Sequence, residues 1–130
     1  MAKQTKRDSG HPEWMDFTVK NAPKVRDFYR SVLGWEFEKL DMGGYSDYVM
    51  RPRGEKKGVA GICHARGMNA KLPPVWLLYF TVPDLDLALV SCRRKKGKRV
   101  APIRGEKGKG RFCVIRDPGG AFCALYELPG

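Results

Sequence analysis

The side chains of this chain that could do chemistry are few and widely spaced. His11 and His64 are the histidines, and Cys63, Cys92, Cys113 and Cys123 the cysteines. No two cysteines make a CxxC pair or a zinc-finger spacing, so they read as reduced thiols, with a reactive thiol or a disulfide as the alternatives. Asp16 stands in the run WMDFTV. A carboxylate among aromatic side chains must find a donor, and it acts either as a ligand-binding group or general base, or as a structural carboxylate tied to Tyr79 or an arginine. No second carboxylate accompanies it at a motif spacing, which leaves a paired acid/base mechanism unwritten. His64 opens HARGMN and is a candidate base or solitary metal ligand, because loops often carry function; the competing reading is a locally hydrogen-bonded histidine. Arg111 offers an anion-binding guanidinium or a solvated ion pair. GEKGKGRF has a glycine-rich look without the GxxxxGK[ST] pattern or a following helix, so it is no phosphate loop. RRKKGKR, residues 93–99, carries six basic residues in seven. Some oppose the dipole of a helix C-terminus; the run lacks a nucleic-acid-binding signature, and a solvated face is the simpler reading.

These residues are positioned by a repeat. At a constant offset of 63 residues, Phe17-Thr18-Val19 recurs as Phe80-Thr81-Val82, Asn21 falls on Asp84, Val25 on Ala88, Gly34 on Gly97 and Phe37 on Val100. Apolar, cap and glycine positions holding register together indicate a duplicated unit. WMDFTV and WLLYFTV suit strands. Asn21 with Pro23, and Asp84 in the second copy, start helices. Val25, Phe28 or Tyr29, and Val32 recur at helical spacing, as do Leu85, Ala88 or Leu89, and Cys92. Gly34 and Gly97 stop the helices. The pieces WEFEKL, YSDYVM and VAGIC follow in the first copy, and KRVAPI, RFCVIRD and AFCALYEL in the second, with RPRGEKKG and DPGG as turns. Each copy is therefore β-α-β-β-β. The expected boundaries are a tail at 1–13, modules at 14–63 and 76–130, and a connection at 64–75.

Strand alternation then assigns faces. Trp14, Asp16 and Thr18 share one side of their strand, while Met15, Phe17 and Val19 share the helix side. Leu77, Tyr79 and Thr81 correspond to the first group, and Phe122, Ala124 and Tyr126 alternate with Cys123, Leu125 and Glu127. The expected pocket is aromatic-lined and suited to a flat or apolar small molecule: Trp14, Asp16, Tyr48, Tyr79, Arg111, Phe122 and Tyr126.

At 130 residues the chain suits one compact domain or two half-size modules sharing a core. With 42% apolar and 30% charged residues, global disorder is not expected. The net charge of +11 favours anionic ligands or nucleic acid and says nothing about fold. No stretch reads as a signal peptide or spanning helix, so a soluble cytoplasmic protein is the expectation.

DFYRSVLGWEFEK, FTVPDLDLAL and GKGRFCVIRDPGGAFCALYE carry a resemblance to the vicinal oxygen chelate superfamily, the glyoxalase, bleomycin-resistance and extradiol-dioxygenase fold, over residues 14–128. The resemblance implies an α+β fold in which two repeated β-α-β-β-β modules form an open barrel-like sheet with a concave cleft. It also implies four metal-ligand positions. These fall on Trp14, on Leu77 (or Trp76 if the strand is shifted), on Ala124, and on the stretch 61–64, where Cys63 and His64 are the donors. Neither an indole nor an aliphatic carbon donates to a metal, so no metal site is expected and no cofactor is assigned, with a divalent metal as the runner-up. The implied function is small-molecule binding of the glyoxalase/bleomycin-resistance type without the usual metal centre. The alternatives are a metal-dependent lyase, isomerase or dioxygenase, and a basic nucleic-acid-associated module. A homodimer is expected, with no membrane partner and nucleic acid disfavoured. No catalytic residue is assigned; Asp16 and His64 are the candidates.

Overall fold

The computed structural model describes residues 9–130. Contacts divide the described residues into two compact units, one formed by Trp14–Trp76 and the other by Leu77–Gly130 with residues 9–13. Both follow the repeat. The first unit takes β1 (Pro12–Val19), α1 (Ala22–Leu33), β2 (Glu36–Asp41), β3 (Ser46–Arg51) and β4 (Ala60–His64), in the spatial order β2-β3-β4-β1. β1 is parallel to β4, whereas β2, β3 and β4 pair antiparallel. A short 3-10 turn, Gly67–Asn69, lies in the connection that follows.

The second unit takes β5 (Trp76–Thr81), α2 (Leu85–Arg94), β6 (Lys98–Arg99), β7 (Arg104–Glu106), β8 (Gly110–Arg116) and β9 (Phe122–Glu127). Its order is β5-β9-β8-β6, with β7 also pairing β8. Asp16 pairs with Gly61 across β1 and β4, and Tyr79 with Ala124 across β5 and β9. Both members of the second pair are offset by 63 from the first, so the repeat read from the sequence survives as hydrogen-bond register.

The first core is an aromatic cluster against α1. Phe17 and Trp76 meet edge to face at 5.0 Å, and Tyr29 and Trp76 at 5.3 Å. The Trp76 indole donates to the Tyr29 hydroxyl at 3.1 Å, so a half-buried polar pair is satisfied beside the apolar cluster. Tyr48, Met50, Ala60 and Ile62 pack beneath, with Ala22 of the helix. The helix face keeps Val25 and the Tyr29 alternative of the sequence expectation and departs from it at Val32. Phe28 and Val32 are 56% and 60% exposed, and inward packing falls to Ala22, Val25 and Tyr29. A 100° step per residue cannot aim Phe28 and Tyr29 at the same core.

Caps and strand limits also depart locally from expectation. Asn21 precedes α1 but its side chain makes no capping bond, and Pro23 in the first turn is what fits the helix start. Gly34 ends α1 in the left-handed conformation, donating to Arg30 O at 3.0 Å. In the second unit that conformation falls on Lys96. Gly97 is needed for space instead, because a β-carbon there would press on the Cys92 sulfur at 2.6 Å. KRVAPI is not one strand: pairing stops after Arg99, and the chain returns to β8 as β7, closing a hairpin over GEKGKG. Of the expected tail, residues 1–8 lie outside the described residues. His11 is tied to Thr81, its N–H on the Thr81 hydroxyl at 3.0 Å and its carbonyl accepting the Thr81 N–H at 2.8 Å.

The second unit is fastened by one carboxylate. Glu127 on β9 accepts the Leu85 N–H at 2.7 Å and the Arg111 guanidinium at 3.0 and 3.1 Å, and Arg111 also reaches Asp86 at 3.1 Å. With Asp84 accepting from Leu87 N at 3.0 Å, the first turn of α2 is satisfied by one local and one distant carboxylate. The guanidinium holds Glu127 below its ordinary carboxylate range. A depressed pKa stabilises the folded state above the unfolded value, and that stability is lost as pH falls through the folded value. Glu127→Gln is expected to cost about 3 kcal/mol at neutral pH. Denaturant melts from neutral to acid pH should also show a shallower acid loss in the variant than in the parent.

Candidate functional site

Strand alternation leaves the side of the first sheet opposite α1 to Trp14, Asp16, Val49, Gly61 and Cys63. Asp16, Gly61 and Val49 are aligned across β1, β4 and β3. The Trp14 indole N–H donates to Asp16 Oδ1 at 2.6 Å, a charge-assisted bond that fixes ring and carboxylate together. The Asp16 carboxylate lies directly over Gly61, in the place a β-carbon would take. The Cys63 sulfur comes within 3.6 Å of that same place. Gly58 is similarly covered by Val49, with the edge of the Trp14 ring at 3.6 Å. Two glycines thus let three larger side chains lie down on the sheet.

The expected pocket residues divide. Trp14 and Asp16 are brought together. In the second unit Tyr79, Phe122 and Tyr126 share the side of their sheet away from α2, where Tyr79 and Phe112 rings pack at 5.2 Å. Tyr48 and Arg111 do not join them. Tyr48 is 6% exposed in the first core, beneath the Arg26 guanidinium at 4.7 Å. Arg111 is 8% exposed and committed to Glu127 and Asp86 on the α2 side. Each sits one position out of phase with the residues it was grouped with, and a strand cannot present neighbours to one face.

His64 has a partner that sequence spacing did not reveal. Asp47 Oδ1 accepts the His64 backbone N–H at 2.8 Å and faces its Nδ1 at 3.2 Å. A proton on Nδ1 would leave Nε2 as the acceptor. The Tyr45 ring stands edge-on to the imidazole at 5.4 Å, and Arg66 covers Tyr45 at 3.9 Å. Asp47 in YSDYVM carried no motif signal; only the antiparallel register of β3 and β4 brings it to His64. The pair orients the imidazole and fastens the β4 end to β3.

Three of the cysteines are inert in character. All four are unbridged, and burial raises the Cys92, Cys113 and Cys123 thiols, which keeps them protonated at neutral pH. Among the described residues no three His, Cys, Asp or Glu side chains gather as a set able to hold a metal. At the positions where the family resemblance expects ligands, Trp14 holds Asp16 and Leu77 and Ala124 are buried hydrocarbon, which leaves Cys63 and His64 of the 61–64 stretch as the donors there. That donor set does not fit a metal ion.

Comparison with known proteins agrees with the fold. Residues 11–124 match the model of the Glyoxalase/Bleomycin resistance protein/Dioxygenase superfamily. The chain is 27% identical over 128 residues to the putative glyoxylase CFP32 of Mycobacterium tuberculosis, covering 98% of itself and 49% of that protein. It therefore spans about half the length of the curated relatives it matches. Among solved structures, methylmalonyl-CoA epimerase of M. tuberculosis superposes with a TM-score of 0.53 at 20% identity, over 91% of this chain and 87% of the other. The Mn(II)-bound glyoxalase of Novosphingobium aromaticivorans superposes with a TM-score of 0.58 at 16% identity, over 94% of this chain and 40% of the other.

The contact between Asp16 and Gly61 has a direct test. Gly61→Ala should destabilise the protein by about 1–3 kcal/mol through overpacking. Asp16→Ala in the same chain should recover most of that loss, giving a coupling of at least about 1 kcal/mol in a denaturant double-mutant cycle. Additive losses would show that the two positions do not share that space.

Proposed function

The chain belongs to the Glyoxalase/Bleomycin resistance protein/Dioxygenase superfamily, and on that premise we propose that it binds a small organic molecule against the open side of the first sheet, without a metal at the family's ligand positions. The observation that carries this reading is the Asp16 carboxylate lying over Gly61 and bonded to Trp14. A carboxylate accepts several hydrogen bonds at once, so Asp16 suits a ligand N–H or O–H while the Trp14 ring offers a flat apolar contact. Tyr79, Phe122 and Tyr126 are proposed to line the corresponding aromatic face of the second unit.

A second reading has its own support. The similar solved structures include several methylmalonyl-CoA epimerases and a Mn(II)-bound glyoxalase, which favours a metal-dependent isomerase or lyase. Under that reading the metal would draw on Cys63 or His64 with Asp16 and a donor from a second copy of the chain. A homodimer belongs to both readings, supported by Phe28, Val32 and Leu33, exposed together on α1.

Elemental analysis of dialysed, tag-free protein separates the two. The binding reading expects well under one equivalent of any transition metal. It also expects a ligand found by fluorescence screening to lose at least about tenfold in affinity with Asp16→Asn, the order of one lost charged hydrogen bond. A stoichiometric metal together with turnover of methylmalonyl-CoA would establish the enzyme instead. For the dimer, light scattering should give twice the chain mass, and Val32→Glu should return it to the monomer.

A further inference from the structure

The basic run read in the sequence becomes a surface in the structure. Arg93, Arg94, Lys95 and Lys96 end α2, Lys98 and Arg99 form β6, and all six are exposed. Among the described residues none of the six has a carboxylate oxygen within ion-pair distance. β6 pairs with β8 so that Lys98 stands opposite Arg116, which adds a seventh exposed cation from a distant part of the chain.

Two shallow depressions flank Lys98. One, of about 410 Å³, is lined by Lys96, Lys98, Arg116 and the Asp117–Gly120 turn. The other, of about 570 Å³, has Leu89, Val90 and Ile103 in its lining and Arg93, Lys98 and Arg99 at its rim. The two carboxylates that line these depressions, Asp117 and Asp86, are already engaged. Asp117 accepts the N–H groups of Gly119 and Ala121, and Asp86 pairs with Arg111. A helix C-terminus explains one or two cations at about 0.3–1 kcal/mol each, and does not call for seven.

We propose that this surface binds the phosphodiester backbone of duplex nucleic acid without sequence preference. Seven like charges brought together at the end of one unit, on a chain of net charge +11, are the electrostatic footprint of a polyanion contact. The α2–β6–β8 edge presents its cations on a helix C-terminus and a two-residue edge strand rather than along an element that enters a groove, so the contact is to phosphates. This surface lies in the second unit and stands independently of the small-molecule reading.

Fluorescence anisotropy of the full chain with a labelled DNA duplex of about 20 base pairs tests it, over a salt range of about 50 to 200 mM. Binding should weaken by about two orders of magnitude across that range, as expected for roughly four phosphate contacts. The triple variant R94Q/K95Q/K98Q should bind at least about tenfold more weakly and lower the salt slope by about 2–3. The variant K39Q/K56Q/K57Q removes the same charge from exposed positions of the other unit and should stay within about twofold of the parent. Circular dichroism confirms that both variants are folded. No duplex binding at the lowest salt overturns the proposal, as do equal losses in the two variants, which would mean diffuse net charge. Vesicles containing phosphatidylserine, bound more tightly than duplex at the same salt, would assign the surface to a membrane and also overturn it.

Discussion

A strand residue faces one side of its sheet, and its neighbour faces the other. In each unit here one side is taken by a helix, so this period of two decides which polar groups are sealed into a core and which are left to act. Asp16 and Trp14 fall on the open side of β1, while Phe17 and Met15 fall under α1. Tyr48 and Arg111 carry groups suited to a binding site, yet phase puts them beneath helices, where one fills the core and the other ties an ion pair. The same rule explains the two covered glycines. On the side away from α1, Gly61 and Gly58 let the Asp16 carboxylate and the Val49 and Trp14 side chains close onto the sheet.

The two units keep a common frame and have diverged in how they hold it. The shared register, with Asp16 on Gly61 and Tyr79 on Ala124, shows that the backbone pairing of the repeat is retained. The first unit is consolidated by apolar aromatic contact around Tyr29 and Trp76. The second relies on a charged fastening, with Glu127 accepting from both the start of α2 and Arg111 on β8. A buried pair of this kind contributes modestly to net stability but is costly to break, because the partner is left charged out of water. The consequence is an asymmetry: acid should weaken the second unit first, while the first responds to loss of packing.

Charge is handled differently at the two ends of the cationic inventory. Arg26, Arg51 and Arg111 are each placed against carboxylates or aromatic faces. The cations of α2's last turn and β6 are not, and the carboxylates beside them are turned into loop and helix hydrogen bonds. Beyond the one or two cations that oppose the helix dipole, stability gains nothing from that arrangement, since like charges on one edge repel. A surface kept positive against its own electrostatics is suited to an anionic partner.

Local sequence was enough for much of this. The tripeptide recurrence at 63 residues, the aromatic and β-branched runs, Pro23 and the glycine after α1 fixed the repeat, the strands and helices, and with them the family; alternation placed Trp14 with Asp16 because both lie on one strand. What local pattern could not carry was anything set by pairing between distant segments. Asp47 meets His64, Glu127 meets both Leu85 and Arg111, and Lys98 meets Arg116 only through strand register. Tyr48 and Arg111 were grouped with the wrong face because a single strand's phase does not say which of its two sides the helix covers. The left-handed turn moved from Gly97 to Lys96 for a similar reason: the glycine was needed where Cys92 approaches, and that contact exists only once α2 is laid against the sheet. Sequence determined the elements and their periodicities, which depend on neighbours along the chain. Tertiary structure alone decided the partners of the charged groups, because Coulombic and hydrogen-bond energies depend on distances that the chain sets only when it folds.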